Sequence, residues 1–196
     1  MCSRYELNTT NLEHVSSRFS AKAQSGVPAL PEIRPTNRVP VIKPGGHVEM
    51  LHWGLEHPWN SKTLINARSE TLAQKKTFIP LLENRCLVPA SAYFEWRKNA
   101  RPKIKTRIAP VDQDLMAFAG LFDDDRFTII TCVPSPAIAH IHGRMPVILT
   151  RQNEQDWLTE AFPFNKVRDL LTPYPNGLLL ARELTAPPPP QGDLFD

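Results

Sequence analysis

Leu115-Met116-Ala117-Phe118-Ala119-Gly120-Leu121-Phe122 and Phe127-Thr128-Ile129-Ile130-Thr131-Cys132-Val133 are two apolar runs of strand length. Their size and their aromatic and β-branched content predict extended chain. Working outward, Leu87 to Arg97, Pro146 to Thr150 and Leu178 to Leu184 read the same way. Val39-Pro40-Val41-Ile42, then Pro44-Gly45-Gly46, then His47-Val48-Glu49-Met50-Leu51 read as two short strands joined by a turn. Helical spacing is confined to a few places. Leu12, Val15 and Phe19 predict a helix over Asn11 to Ala23, with Thr10 or Asn11 as its cap. Leu64 to Lys76 begins extended and becomes helical, and Asn153 to Ala161 is helical around Trp157-Leu158. The strands outnumber the helices and do not alternate with them as βαβ units. The predicted class is therefore α+β: curved antiparallel or mixed sheets forming a barrel-like core, with helices packed outside.

The chain has 196 residues, enough for one domain with a real core. Twenty prolines disfavour a helix-only fold. Residues 1–186 are expected to form the domain. Pro187 to Pro190 reads as a polyproline II spacer, followed by the tail Gln191-Gly192-Asp193-Leu194-Phe195-Asp196. No run of about 18 apolar residues exists, so a membrane span is not expected. No signal peptide is visible, and a cytoplasmic chain is expected. Cys2, Cys86 and Cys132 are too few for a disulfide framework. Cys86 and Cys132 sit in apolar strand-like runs and are expected to be buried, inert thiols. No CxxC pair exists, and no metal site is expected. Net charge is +3, from 23 basic and 20 acidic residues, and fourteen of the basic ones are arginine. Arginine suits phosphates and flat rings, but so mild an imbalance does not by itself establish nucleic-acid binding.

Four positions offer chemistry. Cys2 follows Met1 directly, and a small second residue permits removal of Met1. Cys2 would then carry an α-amine and a thiol on one residue. Their ordinary pKa values are about 7.7–8.0 and about 8.5, so both are partly nucleophilic at neutral pH, and Arg4 would favour the thiolate. The alternative is an inert second residue. Glu95 lies in Tyr93-Phe94-Glu95-Trp96-Arg97 and shares a strand face with Tyr93 and Arg97. A carboxyl among aromatics is a candidate for a raised pKa, or the face is solvated and Glu95 pairs with Arg97. His142, in His140-Ile141-His142-Gly143-Arg144-Met145-Pro146, is a proton shuttle or a turn histidine. Asn66 and Arg68 would face one side of an extended segment, as a sugar–phosphate requires, or Asn66 is a helix cap.

In this order the motifs resemble the SRAP family, the SOS-response-associated peptidases and abasic-site processing proteins. The matching stretches are Met1 to Arg4, Pro35-Thr36, Trp53-Gly54-Leu55, Asn66 to Thr71, Arg85 to Pro89, Phe94-Glu95-Trp96, Gly120-Leu121 and His142 to Pro146. Ser3 and Ala92 stand where the family has glycine, Phe94 where it has tyrosine, Gly143 where it has aspartate, and Arg34 where it has a small residue. These departures bear on pocket shape and rate. The resemblance implies that Cys2, Asn66, Glu95 and His142 carry the chemistry. Cys2 would join an abasic site in single-stranded DNA through a thiazolidine ring and shield the lesion, with a weak strand-cleaving lyase activity beside it. Arg4, Arg68 and Arg144 would contact phosphates, and Trp59 and Trp96 would stack or wedge, although core packing is the other use of a tryptophan. The resemblance further implies a monomer without metal or cofactor, working at replication forks. A thiol peptidase built on Cys2, Glu95 and His142 and a noncatalytic single-strand-binding adaptor are the alternatives. The tail residues Gln191, Leu194 and Phe195 resemble a bacterial sliding-clamp-binding pattern, or form a solubilising tail.

Overall fold

A computed structural model describes residues 2–9, 12–22, 30–57, 60–97 and 103–184. The elements in chain order are β1 (Tyr5–Leu7), α1 (Leu12–Phe19), β2 (Leu30–Ile33), β3 (Arg38–Lys43), β4 (His47–Trp53), β5 (Leu55–His57), β6 (Asn60–Leu64) and β7 (Asn66–Arg68). They continue with β8 (Arg85–Ala90), β9 (Ala92–Trp96), β10 (Lys105–Pro110), β11 (Met116–Asp123), β12 (Arg126–Cys132), β13 (Met145–Pro146), β14 (Ile148–Leu149), α2 (Arg151–Leu158), α3 (Phe164–Val167) and β15 (Leu179–Leu184).

The two runs that decide the fold class become β11 and β12, paired antiparallel from Gly120↔Ile129 to Asp123↔Arg126. β12 runs parallel to β4, and β4 pairs antiparallel with β3. β3 meets β8 at Ile42↔Leu87, and β8 pairs with β11 from Met116↔Ala90 to Leu121↔Arg85. The ring β12-β4-β3-β8-β11 therefore closes on itself, so these five strands form a barrel. β7 adds to β12 in parallel register, Ile129↔Asn66 to Thr131↔Arg68. A second sheet, β15-β10-β9-β1-β2, is antiparallel throughout. Mixed sheets around a barrel with few helices make the fold α+β, as the strand-rich sequence predicts.

At Gly120 the barrel strands pack closely against one another. A Cβ there would sit 2.9 Å from Cys86 Sγ and 3.1 Å from both Val88 Cγ2 and the Thr128 carbonyl. Tyr5 and Tyr93, paired across β1 and β9, carry the second sheet onto the barrel. Tyr5 meets Trp53 at 5.2 Å and Phe118 at 5.7 Å between ring centroids, and Tyr93 meets Phe118 at 6.2 Å, all edge to face. Such pairs add about 0.5–1.5 kcal/mol each beyond burial. Arg85 is buried and donates to the carbonyls of Trp157, Thr159 and Phe162 at 2.7–2.9 Å, which ties the end of α2 to β8. Its place is structural.

Several boundaries differ from the sequence reading. Leu87 to Arg97 is two strands, not one. At Ser91 the chain leaves the barrel for the second sheet, held by Ser91 N–H donating to the Glu6 carbonyl (2.8 Å) and Asn8 N–H to Ser91 Oγ (2.8 Å). α1 stops at Phe19 because Ser20 takes a left-handed φ of 51° and Ala21 N–H closes onto the Ser16 carbonyl at 2.8 Å. The proposed caps Thr10 and Asn11 lie outside the described residues, as do Trp59, the polyproline spacer and the tail with Gln191, Leu194 and Phe195. His140 and His142 occupy turns rather than a strand, with Ile141 and His142 N–H both directed to the Ile138 carbonyl. Among the described residues, no helix is long and apolar enough to cross a membrane.

Candidate active site

The N-terminal segment is sewn into the second sheet. Phe94 N–H donates to the Arg4 carbonyl at 2.9 Å, and Tyr5 and Glu6 pair with Tyr93 and Ala92. This places Cys2 in the interior, 0% exposed. From the barrel side, Asn66 on β7 donates Nδ2–H to the Cys2 carbonyl at 2.7 Å. The helical turn over Ser69–Gln74 is capped at Arg68 and the Asn66 amide is engaged with Cys2, so the cap reading of Asn66 is set aside; Asn66 shares a strand face with Arg68 while Ala67 faces the core. The other amide atom, Asn66 Oδ1, is buried without a hydrogen-bond partner among the described residues.

Glu95 is buried on β9 and faces the same interior as Tyr93. His142 approaches it with Nδ1 3.8 Å from Glu95 Oε1. The Glu95 charge also reaches the Cys2 thiol. Cys2, Asn66, Glu95 and His142 therefore come together, although they lie on four separate segments of the chain.

Electrostatics at Cys2 oppose the expectation that Arg4 favours a thiolate. Burial pushes the thiol well above its ordinary value, and the neighbouring Glu95 carboxylate pushes it further. Arg4 is turned elsewhere: Nη1 donates to the Ser3 carbonyl at 2.7 Å, and Nε lies 3.7 Å from Glu32 Oε1. The thiol lies 3.7 Å from the Arg4 backbone carbonyl, to which it donates. Tyr5 and Tyr93 are both raised by burial first and then by charge at Cys2, which marks them as neighbours of the thiol. Their hydroxyls are buried without hydrogen-bond partners among the described residues. Cys86 and Cys132 are buried free thiols, both raised chiefly by burial.

The remaining site residues spread outward from this set. Arg68 is exposed on β7. Arg144 is mostly covered, and its guanidinium is held by Glu70 at 2.6 and 2.9 Å and by the Thr131 carbonyl at 2.6 Å. Trp96 is half-buried on the opposite face of β9 from Glu95, beside Phe94. Lys105 lies over both rings, 4.1 Å from the Phe94 centroid and 5.9 Å from that of Trp96, and its ammonium pairs with Glu32. Arg97 pairs with Glu183 at 3.0 Å rather than with Glu95.

Sequence reasoning passes over Glu70, Thr131, Lys105 and Glu32, whose roles come from partners distant in the chain. Pro35-Thr36 is among the motif stretches, but the sequence does not show that Thr36, a β-branched residue, takes φ 72°. Its N–H donates to the Trp53 carbonyl at 2.8 Å. Within Asn66-Ala67-Arg68-Ser69-Glu70, the acid two residues beyond Arg68 is the signal that could have flagged Glu70. Ser3 and Ala92 are outside the left-handed region, so the glycine-to-larger departures cost no backbone strain. A cavity of about 550 Å³ lies elsewhere, between the end of α1 and α2, around the Arg18–Glu154 pair.

A buried cysteine at position 2, a carboxylate, an imidazole and an amide thus meet in one interior site. Comparisons with known proteins place the set in context. The chain is 38% identical over 160 residues to the abasic site processing protein YoqW of Bacillus subtilis, covering 70% of each. It is 26% identical over 179 residues to the abasic site processing protein YedK of Escherichia coli, covering 82% of this chain and 80% of that one. A crystal structure from Bacteroides thetaiotaomicron superposes with a TM-score of 0.83 at 26% identity, covering 94% of this chain and 92% of the other. The family model for SOS response associated peptidase (SRAP) matches residues 1–186. The chain belongs to the SRAP family.

Proposed function

We propose that this protein processes abasic sites in single-stranded DNA by forming a covalent crosslink through Cys2 once Met1 is removed. The observation that carries the reading is the convergence of Asn66, Glu95 and His142 on Cys2, with Asn66 holding the Cys2 carbonyl at 2.7 Å. Relatives named abasic site processing proteins support the substrate class.

The chemistry follows from the groups present. A ring-opened abasic sugar presents an aldehyde at C1′. His142 assists ring opening by moving the proton of the sugar hydroxyl. The Cys2 amine adds to C1′ and gives a carbinolamine, and loss of one water gives an iminium. Glu95 exchanges protons with the amine and the departing hydroxyl. The Cys2 sulfur then bonds to C1′, the thiol proton leaves, and the neutral thiazolidine closes. Loss of the C2′ proton from the iminium instead would break the strand by β-elimination, the weak lyase route. Asn66 Oδ1 and the Tyr5 and Tyr93 hydroxyls, buried without partners among the described residues, are suited to receive the polar sugar.

Arg4, Arg68 and Arg144 are assigned to phosphates, and Trp96 and Trp59 to stacking on bases. A stacked base contributes about 1–3 kcal/mol whatever its identity, which suits a reader of missing bases. The tail residues Gln191, Leu194 and Phe195 are proposed to reach the sliding clamp. A peptide of residues 186–196 should bind clamp, while Leu194→Ala/Phe195→Ala should not, and equal binding by both would remove this part.

The test of the function is a denaturing gel. Untagged protein is incubated with an oligonucleotide carrying one abasic site and then heated. A heat-stable shifted band is expected from wild type and none from Cys2→Ala, which should still bind the strand. Peptide hydrolysis without a band would favour a thiol peptidase, and neither product would favour a binding adaptor.

A further inference from the structure

We propose that Glu70 is a positioning residue for His142, acting through Arg144. The inference rests on the reading that His142 moves protons in the crosslinking reaction.

His142 Nδ1 lies 3.1 Å from both backbone groups of Arg144, its N–H and its carbonyl. The two contacts suit the two states of the ring. With Nδ1 unprotonated, it accepts from the Arg144 N–H, and the proton sits on Nε2. With Nδ1 protonated, it donates to the Arg144 carbonyl instead. The imidazole can thus gain and lose a proton without turning, which is what a proton shuttle needs.

That arrangement is only as stable as the Arg144 backbone, which lies in a loop outside any strand. The side chain supplies the anchor. Nη1 and Nη2 meet the two carboxylate oxygens of Glu70 at 2.6 and 2.9 Å in a fork geometry. Nη2 also donates to the Thr131 carbonyl at 2.6 Å and approaches Thr131 Oγ1 at 3.3 Å. Thr131 is on β12 of the barrel, and Glu70 lies in the turn that follows β7, the strand carrying Asn66 and Arg68. Glu70 therefore fixes the His142 loop to the segment that holds the Cys2 carbonyl. The Arg144 bond holds the Glu70 carboxyl below its ordinary range, so the clamp is ionised at neutral pH. Among the described residues, the charged groups facing His142 include Glu95 from β9 and Arg144 from its own loop. Arg68 and Cys132 lie within electrostatic reach of Glu70 and Arg144.

The experiment reads the ring directly. Nitrogen NMR of the His142 imidazole is recorded on free wild type, Glu70→Ala, Glu70→Gln and Glu70→Asp, beside single-turnover crosslinking with an abasic oligonucleotide. In Glu70→Ala the His142 nitrogen signals should move toward averaged tautomers. Crosslinking should slow about ten- to hundredfold, the scale expected of a misplaced reacting group. Glu70→Gln should fall between, and Glu70→Asp, which keeps the carboxylate, should recover part of both. Unchanged His142 signals in Glu70→Ala and Glu70→Gln overturn the proposal whether or not wild type crosslinks. Altered signals with wild-type crosslinking rates overturn it as well. If wild type itself forms no crosslink while the ring still responds to Glu70, the crosslinking reading fails, and the hold of Glu70 on the ring is established apart from it.

Discussion

At Cys2, burial and the Glu95 charge both hold the thiol protonated. A free thiolate is therefore not what the site stores. In the proposed reaction the iminium formed by the amine would be a strong electrophile and would make up for a weakly ionised sulfur, whereas an amide carbonyl would not. This favours aldehyde chemistry over peptide hydrolysis. In the proposed reaction the burden of catalysis would then fall on proton transfer by Glu95 and His142. Glu95→Gln and His142→Ala should each slow single-turnover crosslinking, with general acid–base groups contributing about 10²–10⁴-fold. Wild-type rates in both variants from pH 6 to 8 would remove these residues from the reaction. Cys2, Asn66, Glu95 and His142 are singled out by the resemblance of their ordered motifs to a family rather than by any one of them alone, and the fold brings the four together. Glu70 and Lys105 are not singled out, because an acid or a lysine acquires its role from a partner that only the fold supplies. The environment of the thiol was misjudged for the same reason: sequence adjacency to Arg4 said nothing of where its guanidinium points.

At the scale of elements, β11 and β12 were legible because their cores are continuously apolar. β1, β2 and β10 were not. β1 has three residues, β2 contains Pro31, and β10 alternates charged Lys105 and Arg107 with Thr106 and Ile108. Those charges work on the outer face of the second sheet, where Glu32 on β2 receives Lys105 from β10 and Arg34 at 2.7 Å. Hydrogen bonding from Lys105, then from Arg34, holds the Glu32 carboxyl below its ordinary value. A lowered carboxyl stabilises the fold above its unfolded value of about 4.3 and loses that contribution as pH falls below it. Denaturant unfolding should therefore show Glu32→Gln less stable than wild type at pH 7, with the difference shrinking as pH falls from 5 toward 3. A constant difference between the two pH values would contradict this. Within the barrel, the close contacts at Gly120 predict that Gly120→Ala costs about 1–3 kcal/mol in the same assay, because backbone and Cys86 must both give way. A neutral substitution would mean that the strands separate freely.

At the scale of the whole molecule, the barrel supplies Asn66 and Arg68 from β7, the second sheet supplies Cys2 and Glu95, and the loop before β13 supplies His142. The site exists only where the two sheets meet, which is why the barrel-like core could be anticipated while the convergence of these segments could not be derived from strand patterns. The arginines around it predict salt-sensitive binding of single strands. Three phosphate contacts give a log–log slope of about −2, and two give about −1.4 if Arg144 stays on Glu70. Binding that is flat with salt, or stronger for intact duplex, would contradict the arginine assignment. The central claim is tested most directly by intact-mass measurement of the adduct between untagged protein and a single-stranded oligonucleotide with one abasic site. The account predicts the mass of the chain without Met1 plus the oligonucleotide minus one water, and no adduct when Cys2 is blocked by an uncleaved N-terminal extension. An adduct of equal yield and rate from the blocked protein would contradict it.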